Sequence, residues 1–206
     1  MTNNLKNSPI MTKKKILIVT DDSGESFEIL YAVHRFAEAG YEPVIAATRK
    51  KALHAVIHDF DPDWNTYIEK PGYRIRADIA IAHVRARDYV AAVLIGGRAP
   101  EFLRHDAKLI RLIQELDRAG KWIFSICHGV QILAAAGLMP GRTVTCYKNV
   151  RLEATTAGAR WVNKQSVVDR NWVTAQTWES HADFYRDIFA CLHPANKRGL
   201  TRPPSK

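Results

Sequence analysis

The sequence predicts an α/β domain in which a mostly parallel sheet carries helices on both faces. Three observations lead to this. Apolar runs of strand length recur along the chain, as expected of strands buried on both sides. Segments of helical periodicity alternate with them, several closed by a glycine. The chain also opens on a strand–helix–strand unit, whose parallel strands require a crossover. With 206 residues, 47% hydrophobic and 25% charged, the chain has apolar material for one sizeable core.

The elements follow in order. Residues 15–20 (KILIVT) form the first apolar run, and Asp21-Asp22-Ser23-Gly24 a turn. Residues 25–39 have helical spacing, with Phe27, Leu30, Tyr31 and His34 on one side and Gly40 as the stop; residues 42–47 return as a strand. Residues 49–73 break the rhythm. They contain HDFDPDW and EKPG, which mark an inserted excursion with turns, and partial alternation over 73–81 suggests a half-exposed hairpin. Residues 89–95 form a buried strand ending in Gly96-Gly97, and a helix over about 105–119 is closed by Gly120. The strand over 122–126 runs directly into Cys127-His128-Gly129, and residues 128–136 read as a helix. Residues 143–146 and 166–174 are further strands, the second turning at Asp169-Arg170-Asn171, and a last amphipathic helix covers 181–192. No repeat or linker is visible, so one domain over 15–193 is expected between two tails.

The net charge of +9 suggests nucleic acid until it is located. Residues 1–15 carry four lysines and no acid, and residues 194–206 carry Lys197, Arg198, Arg202 and Lys206 with no acid. The body is left with 22 basic and 21 acidic residues, so neither a basic groove nor a specific nucleic-acid partner is expected. The tails, 1–14 and 194–206, have the composition of disordered segments. Three cysteines at irregular spacing, with no CxxC pair, argue against a disulfide framework or a zinc ribbon and point to a reducing, cytoplasmic compartment. No apolar run is long enough for a membrane span, and His54, His58 and Asp59 match no closed metal-ligand spacing.

The informative stretch is residues 122–130, WIFSICHGV. A buried strand ends at Cys127 and a helix begins at once, a nucleophile elbow that presents its central side chain at the carboxyl edge of the sheet. The free N–H groups and positive end of the helix should lower the thiol pKa and hold a developing oxyanion. A free cysteine is often only a small buried hydrophobe. That reading suits Cys146, in an apolar strand, and Cys191, near the end of the last helix. Glu25, opening the first helix, has a bland role as a charge near its positive end.

The motif SICHG over 125–129, preceded by IGGRAPE over 95–101, resembles the ThiJ/PfpI family of the class I glutamine amidotransferase-like superfamily. The likeness runs from about residue 15 to 192. The excursion, and TAQTWESH over 174–181, resemble the branch containing plant tandem-domain members with glyoxalase III activity. The resemblance implies a flavodoxin-like three-layer sandwich. It implies Cys127 as nucleophile, Glu25 as the carboxyl touching its sulfur, and Gly97 and His128 as donors of the oxyanion-hole amides. It further implies a homo-oligomer in which Glu101 of a neighbouring subunit orients His128. Gly129, Trp178 and His181 are expected near the substrate.

The expected activity is conversion of a 2-oxoaldehyde, methylglyoxal or glyoxal, to lactate or glycolate, or the related protein deglycation. Cys127 would be the nucleophile and Glu25 the general acid/base, with no cofactor or metal. Two alternatives remain open: a cysteine peptidase or amidase built on Cys127, His128 and Glu101, and a redox-sensing stress or chaperone protein in which Cys127 oxidises beside Glu25.

Overall fold

The computed structural model describes residues 13–193; the expected tails, apart from Lys13 and Lys14, lie outside the described residues. The chain opens with β1 (Lys15–Val19), α1 (Ser26–Glu38) and β2 (Glu42–Ala47). A hairpin of β3 (Ala52–Phe60) and β4 (Tyr67–Arg76) follows, then the two-residue β5 (Ile79–Ala80). Next come β6 (Tyr89–Leu94), α2 (Ala99–Leu103), α3 (Ala107–Arg118), β7 (Trp122–Ile126) and α4 (Val130–Ala135). The chain continues through β8 (Thr143–Val144), α5 (Arg151–Thr156), β9 (Arg160–Trp161), β10 (Ser166–Asp169), β11 (Trp172–Ala175) and α6 (His181–Leu192).

Seven strands form the central sheet in the order β10-β11-β7-β6-β1-β2-β5. All its pairs are parallel except the terminal hairpin β10–β11. Both neighbours of β1 run parallel to it, and Ile16, Leu17, Ile18 and Val19 are fully buried. Its run is therefore continuous rather than alternating. Helices α1 and α6 pack together through Phe36, Tyr185 and Phe189, while α2 and α3 pack with α4. The result is the expected flavodoxin-like α/β sandwich. Asp106 caps α3 by accepting from the Lys108 and Leu109 amides, and Leu109, Leu112, Ile113 and Leu116 form its buried stripe.

Three expectations need correction. The fully buried face of α1 is Glu28, Ile29, Ala32 and Phe36; of the expected set only Leu30 and Tyr31 pack partly against the core, while Phe27 is half exposed and His34 exposed. The excursion is a single long antiparallel hairpin, β3 paired with β4 from Ala52↔Arg76 to Phe60↔Tyr67, separate from the main sheet. The strand at residue 143 stays outside the main sheet and pairs with β9.

Candidate active site

Strand β7 delivers Cys127 to the carboxyl edge of the sheet beside β6 and β11. Cys127 has φ 58°, the left-handed backbone of a strained elbow, and one 3₁₀ turn (Cys127–Gly129) separates it from α4. The elbow closes against the loop after β6. A Cβ on Gly96 would lie 2.4 Å from the Cys127 Cβ, and Gly97 needs its φ of +73° to pass the Ser23 carbonyl, so neither position tolerates a side chain. The backbone N–H groups of Gly97 and His128 both reach the sulfur, so the expected pair of amide donors converges on one atom.

The carboxyl hydrogen-bonded to the Cys127 thiol belongs to Glu28, not to Glu25. Glu28 Oε2 accepts from the Gly96 N–H at 2.7 Å, while its buried Oε1 meets no nitrogen or oxygen partner. Glu25 stands one step back as the N-cap of α1, with Oε2 accepting from the Glu28 N–H at 2.6 Å. The physical reason is helix phase. A cap residue points along the helix axis, whereas position 28 shares its face with Ala32 and Phe36 and faces the sheet. Burial and the neighbouring Glu25 charge push the Glu28 pKa well above the carboxylate range. Burial likewise raises Glu25, to about 7.

The expected low thiol pKa is not found. Burial first, and then the Glu28 charge, push the Cys127 thiol well above its ordinary value, and the Gly97 and His128 amides only partly offset them. Cys127 is 2% exposed, so desolvation outweighs the short helix end. A proton on Glu28 removes the opposing charge and provides an O–H for the sulfur, so the two groups act as one proton-sharing unit.

His128 places Nδ1 3.3 Å from Sγ. Its pKa falls to about 4, chiefly through burial, so the ring is neutral. Tyr67 from the hairpin meets the His128 ring edge-on at 5.8 Å, and the Tyr147 ring lies 5.4 Å from it. A network holds the hairpin down: Glu69 takes two 2.6 Å bonds from the Arg98 guanidinium and a 3.0 Å bond from His58, whose ring stacks on Tyr67 at 3.7 Å. Arg98 directly follows Gly97, so the latch joins the hairpin to the loop whose amide reaches the sulfur.

The other expected site residues divide. Trp178 donates Nε1 to the His58 carbonyl and lines a cavity of about 310 Å³ with Glu25 and His58. Gly129 packs behind the elbow, where a Cβ would lie 2.4 Å from the Leu94 carbonyl; it serves helix–strand packing rather than substrate. His181 does not join that cavity: its ring stacks on Tyr31 at 4.5 Å among Phe27 and Tyr185. Glu101 is exposed on α2, and among the described residues it makes no hydrogen bond to His128. Sequence reasoning missed Glu28, although the 28/32/36 spacing was a usable signal. It also missed Tyr67, Tyr147 and the Glu69–Arg98 pair, for which tertiary contact alone is the signal. Among the described residues no cluster of three or more His, Cys, Asp or Glu is arranged to hold a metal ion, and no helix is long and apolar enough to cross a membrane.

The model of the DJ-1/PfpI family matches residues 14–190. The chain belongs to the DJ-1/PfpI family. Among its relatives, a deglycase of Thermococcus kodakarensis is 35% identical over 162 residues, 79% of this chain and 89% of that protein. The protein DJ-1 homolog D of Arabidopsis thaliana is 33% identical over 186 residues, 87% of this chain but only 48% of that longer protein. Within the family's solved structures, a two-domain protein of Anabaena variabilis with DJ-1/ThiJ/PfpI-like and ferritin-like domains superposes with a TM-score of 0.78 at 25% identity, covering 92% of this chain and 52% of that one. Drosophila melanogaster DJ-1beta shares the fold, with a TM-score of 0.74 at 22% identity over 88% of this chain and 91% of that one.

Proposed function

We propose that this DJ-1/PfpI protein is a cofactor-independent glyoxalase III-type enzyme that converts methylglyoxal or glyoxal to lactate or glycolate. Removal of early methylglyoxal adducts from proteins draws on the same chemistry, and relatives named deglycases support that neighbourhood of function. The observation that carries the reading is the convergence on one sulfur of a carboxyl group, Glu28, and two backbone amides, Gly97 and His128.

The chemistry follows from that geometry. The Cys127 thiolate attacks the aldehyde carbon, forming a C–S bond while the carbonyl oxygen takes the charge and then a proton. The amides at the elbow stabilise the oxyanion. Glu28 removes the proton from C1 of the hemithioacetal and returns one to C2 through an enediolate, and the buried Glu25–Glu28 pair is suited to holding it meanwhile. Water hydrolyses the resulting thioester and frees the thiol. One aldehyde and one water give one 2-hydroxy acid: C1 is oxidised, C2 is reduced, and no external electron acceptor is consumed.

The test is methylglyoxal loss with lactate formation in the absence of glutathione. Cys127→Ala and Glu28→Gln should each lower kcat/KM by at least about 100-fold, and Glu25→Gln by less, since it is one bond removed from the sulfur. Full activity in Glu28→Gln overturns the assignment.

The 3.3 Å contact between Cys127 Sγ and His128 Nδ1 favours a second reading. In this reading the protein is an amidase or peptidase in which Glu101 from a second copy in a homo-oligomer completes a Cys127-His128-Glu101 triad. Amide cleavage that survives Glu28→Gln but not Glu101→Gln would select it.

A further inference from the structure

A groove of about 530 Å³ shares Tyr147 with the surroundings of His128, and a three-carbon aldehyde held at the thiol would leave it empty. It runs between the tip of the hairpin and the segment from Trp161 to Glu179, and Tyr147, whose ring sits 5.4 Å from His128, belongs to its wall. We propose that this groove is a subsite for a polyhydroxylated carbon chain, and that the preferred substrate is an aldose-derived 2-oxoaldehyde with several hydroxyl-bearing carbons. The proposal rests on the glyoxalase-type reading of Cys127.

Three features of the groove select that ligand. Its wall carries two tryptophans, Trp161 and the 57% exposed Trp64. A polyol chain has C–H groups that lie against an aromatic face and hydroxyls that project at its edges, so aromatic walls suit it where a purely polar wall would not. Next to them, Gln176 Nε2 donates to Asn163 Oδ1 at 2.8 Å. That bond leaves the Asn163 amide donor and the Gln176 amide acceptor for a ligand, a pairing that matches a hydroxyl's ability to donate and accept. The charges in the wall also cancel: Asp61 and Glu179 stand against Lys148 and Arg151. A phosphorylated or otherwise anionic chain would call for an excess of cations, and none is present in this wall.

The reaction keeps the balance given above. The terminal aldehyde carbon becomes the carboxyl, the adjacent ketone becomes a carbinol, one water is consumed, and the hydroxylated tail is unchanged.

The test compares 3-deoxyglucosone with methylglyoxal on the full chain and on Trp64→Ala, whose exposed ring can be removed without opening the core. Alongside it, saturation-transfer NMR with glucitol, which has no carbonyl, reads groove binding independently of the thiol. The expected result is a kcat/KM preference for 3-deoxyglucosone that falls about tenfold relative to methylglyoxal in Trp64→Ala, with glucitol saturation lost in the same variant. A preference ratio unmoved by Trp64→Ala, or glucitol that receives no saturation from the unmodified protein, overturns the proposal. Glucitol binding that depends on Trp64, with neither aldehyde turned over, supports the polyol subsite and overturns the glyoxalase-type reading of Cys127 instead.

Discussion

At Cys127 the backbone and the surroundings pull in opposite directions. The elbow aims two amides at the sulfur, while burial and an acidic neighbour disfavour its anion. Glu28 resolves the conflict when it carries a proton, because the site then holds a single negative charge that two N–H groups and one O–H can share. The sequence made the sulfur legible, since a strand running into Cys-His-Gly has few other uses. It misdirected the carboxyl by three positions, because two glutamates on the first turn look alike until the cap and the core-facing position are told apart. His181 shows the opposite case. Its placement near the substrate rested on resemblance, yet the ring is buried, both nitrogens lack partners, and burial lowers its pKa to about 4. We expect His181→Phe to stabilise the protein by about 1 kcal/mol at pH 7.5 by removing unpaired polar atoms. The gain should be larger at pH 5. The unfolded histidine binds a proton below about pH 6.5 whereas the folded one resists it down to about 4, so stability due to this group is lost as pH falls through that window. Urea midpoints at the two pH values check this, and equal midpoints for variant and parent would count against it.

Among the elements, the hairpin β3–β4 was the least legible. Its strands break at turn-rich stretches, one register shift interrupts the ladder between His54 and Val56, and no helix separates it from its neighbours. Periodicity therefore suggested an irregular excursion. Its consequence for the site lies in the latch: Glu69 binds Arg98 and His58, and Arg98 pulls the Glu69 pKa down to about 2. Tyr67 lies edge-on to His128, next to the buried Cys127, so the hairpin would help to cover the thiol. Glu69→Gln breaks the ion pair while keeping the side chain's length. We expect alkylation of Cys127 by iodoacetamide, followed by site-resolved mass spectrometry, to speed up several-fold in Glu69→Gln and in Arg98→Gln. The double variant should add little, because both changes remove the same contact. Unchanged labelling would show that the hairpin's cover does not depend on the latch. Helices α3 and α6, by contrast, end within two residues of where the spacing and caps put them.

For the whole molecule, the parallel sheet and its crossovers were readable because each buried strand is a continuous apolar run. Of the small parallel pair, β8 fell within the expected strand at 143–146, but its partner β9 was not read, since two residues carry no period. The near-neutral body also leaves stability to be governed by a few buried groups rather than by net charge. Glu25 is one of them. Its folded pKa of about 7 lies above the ordinary 4.5 through burial, so the folded state holds this proton more tightly than the unfolded chain. The stability it contributes is present below about pH 4.5 and is lost as pH rises toward 7. Glu25→Gln, which cannot ionise, should therefore lose less stability than the parent between pH 4.5 and 8, by on the order of 2 kcal/mol. Denaturant unfolding across that range measures it, and parallel curves for the two proteins would remove Glu25 as the cause.

The depth of the sulfur has a consequence for what it can accept. A thiol with 2% of its surface open to water, next to a histidine flanked by Tyr67 and Tyr147, would favour a narrow end entering head-first. A chain-terminal CHO would suit that approach better than a carbonyl flanked by carbon on both sides. Discrimination between aldehydes and ketones would then be set by the width of the entrance, before any difference in electrophilicity is felt.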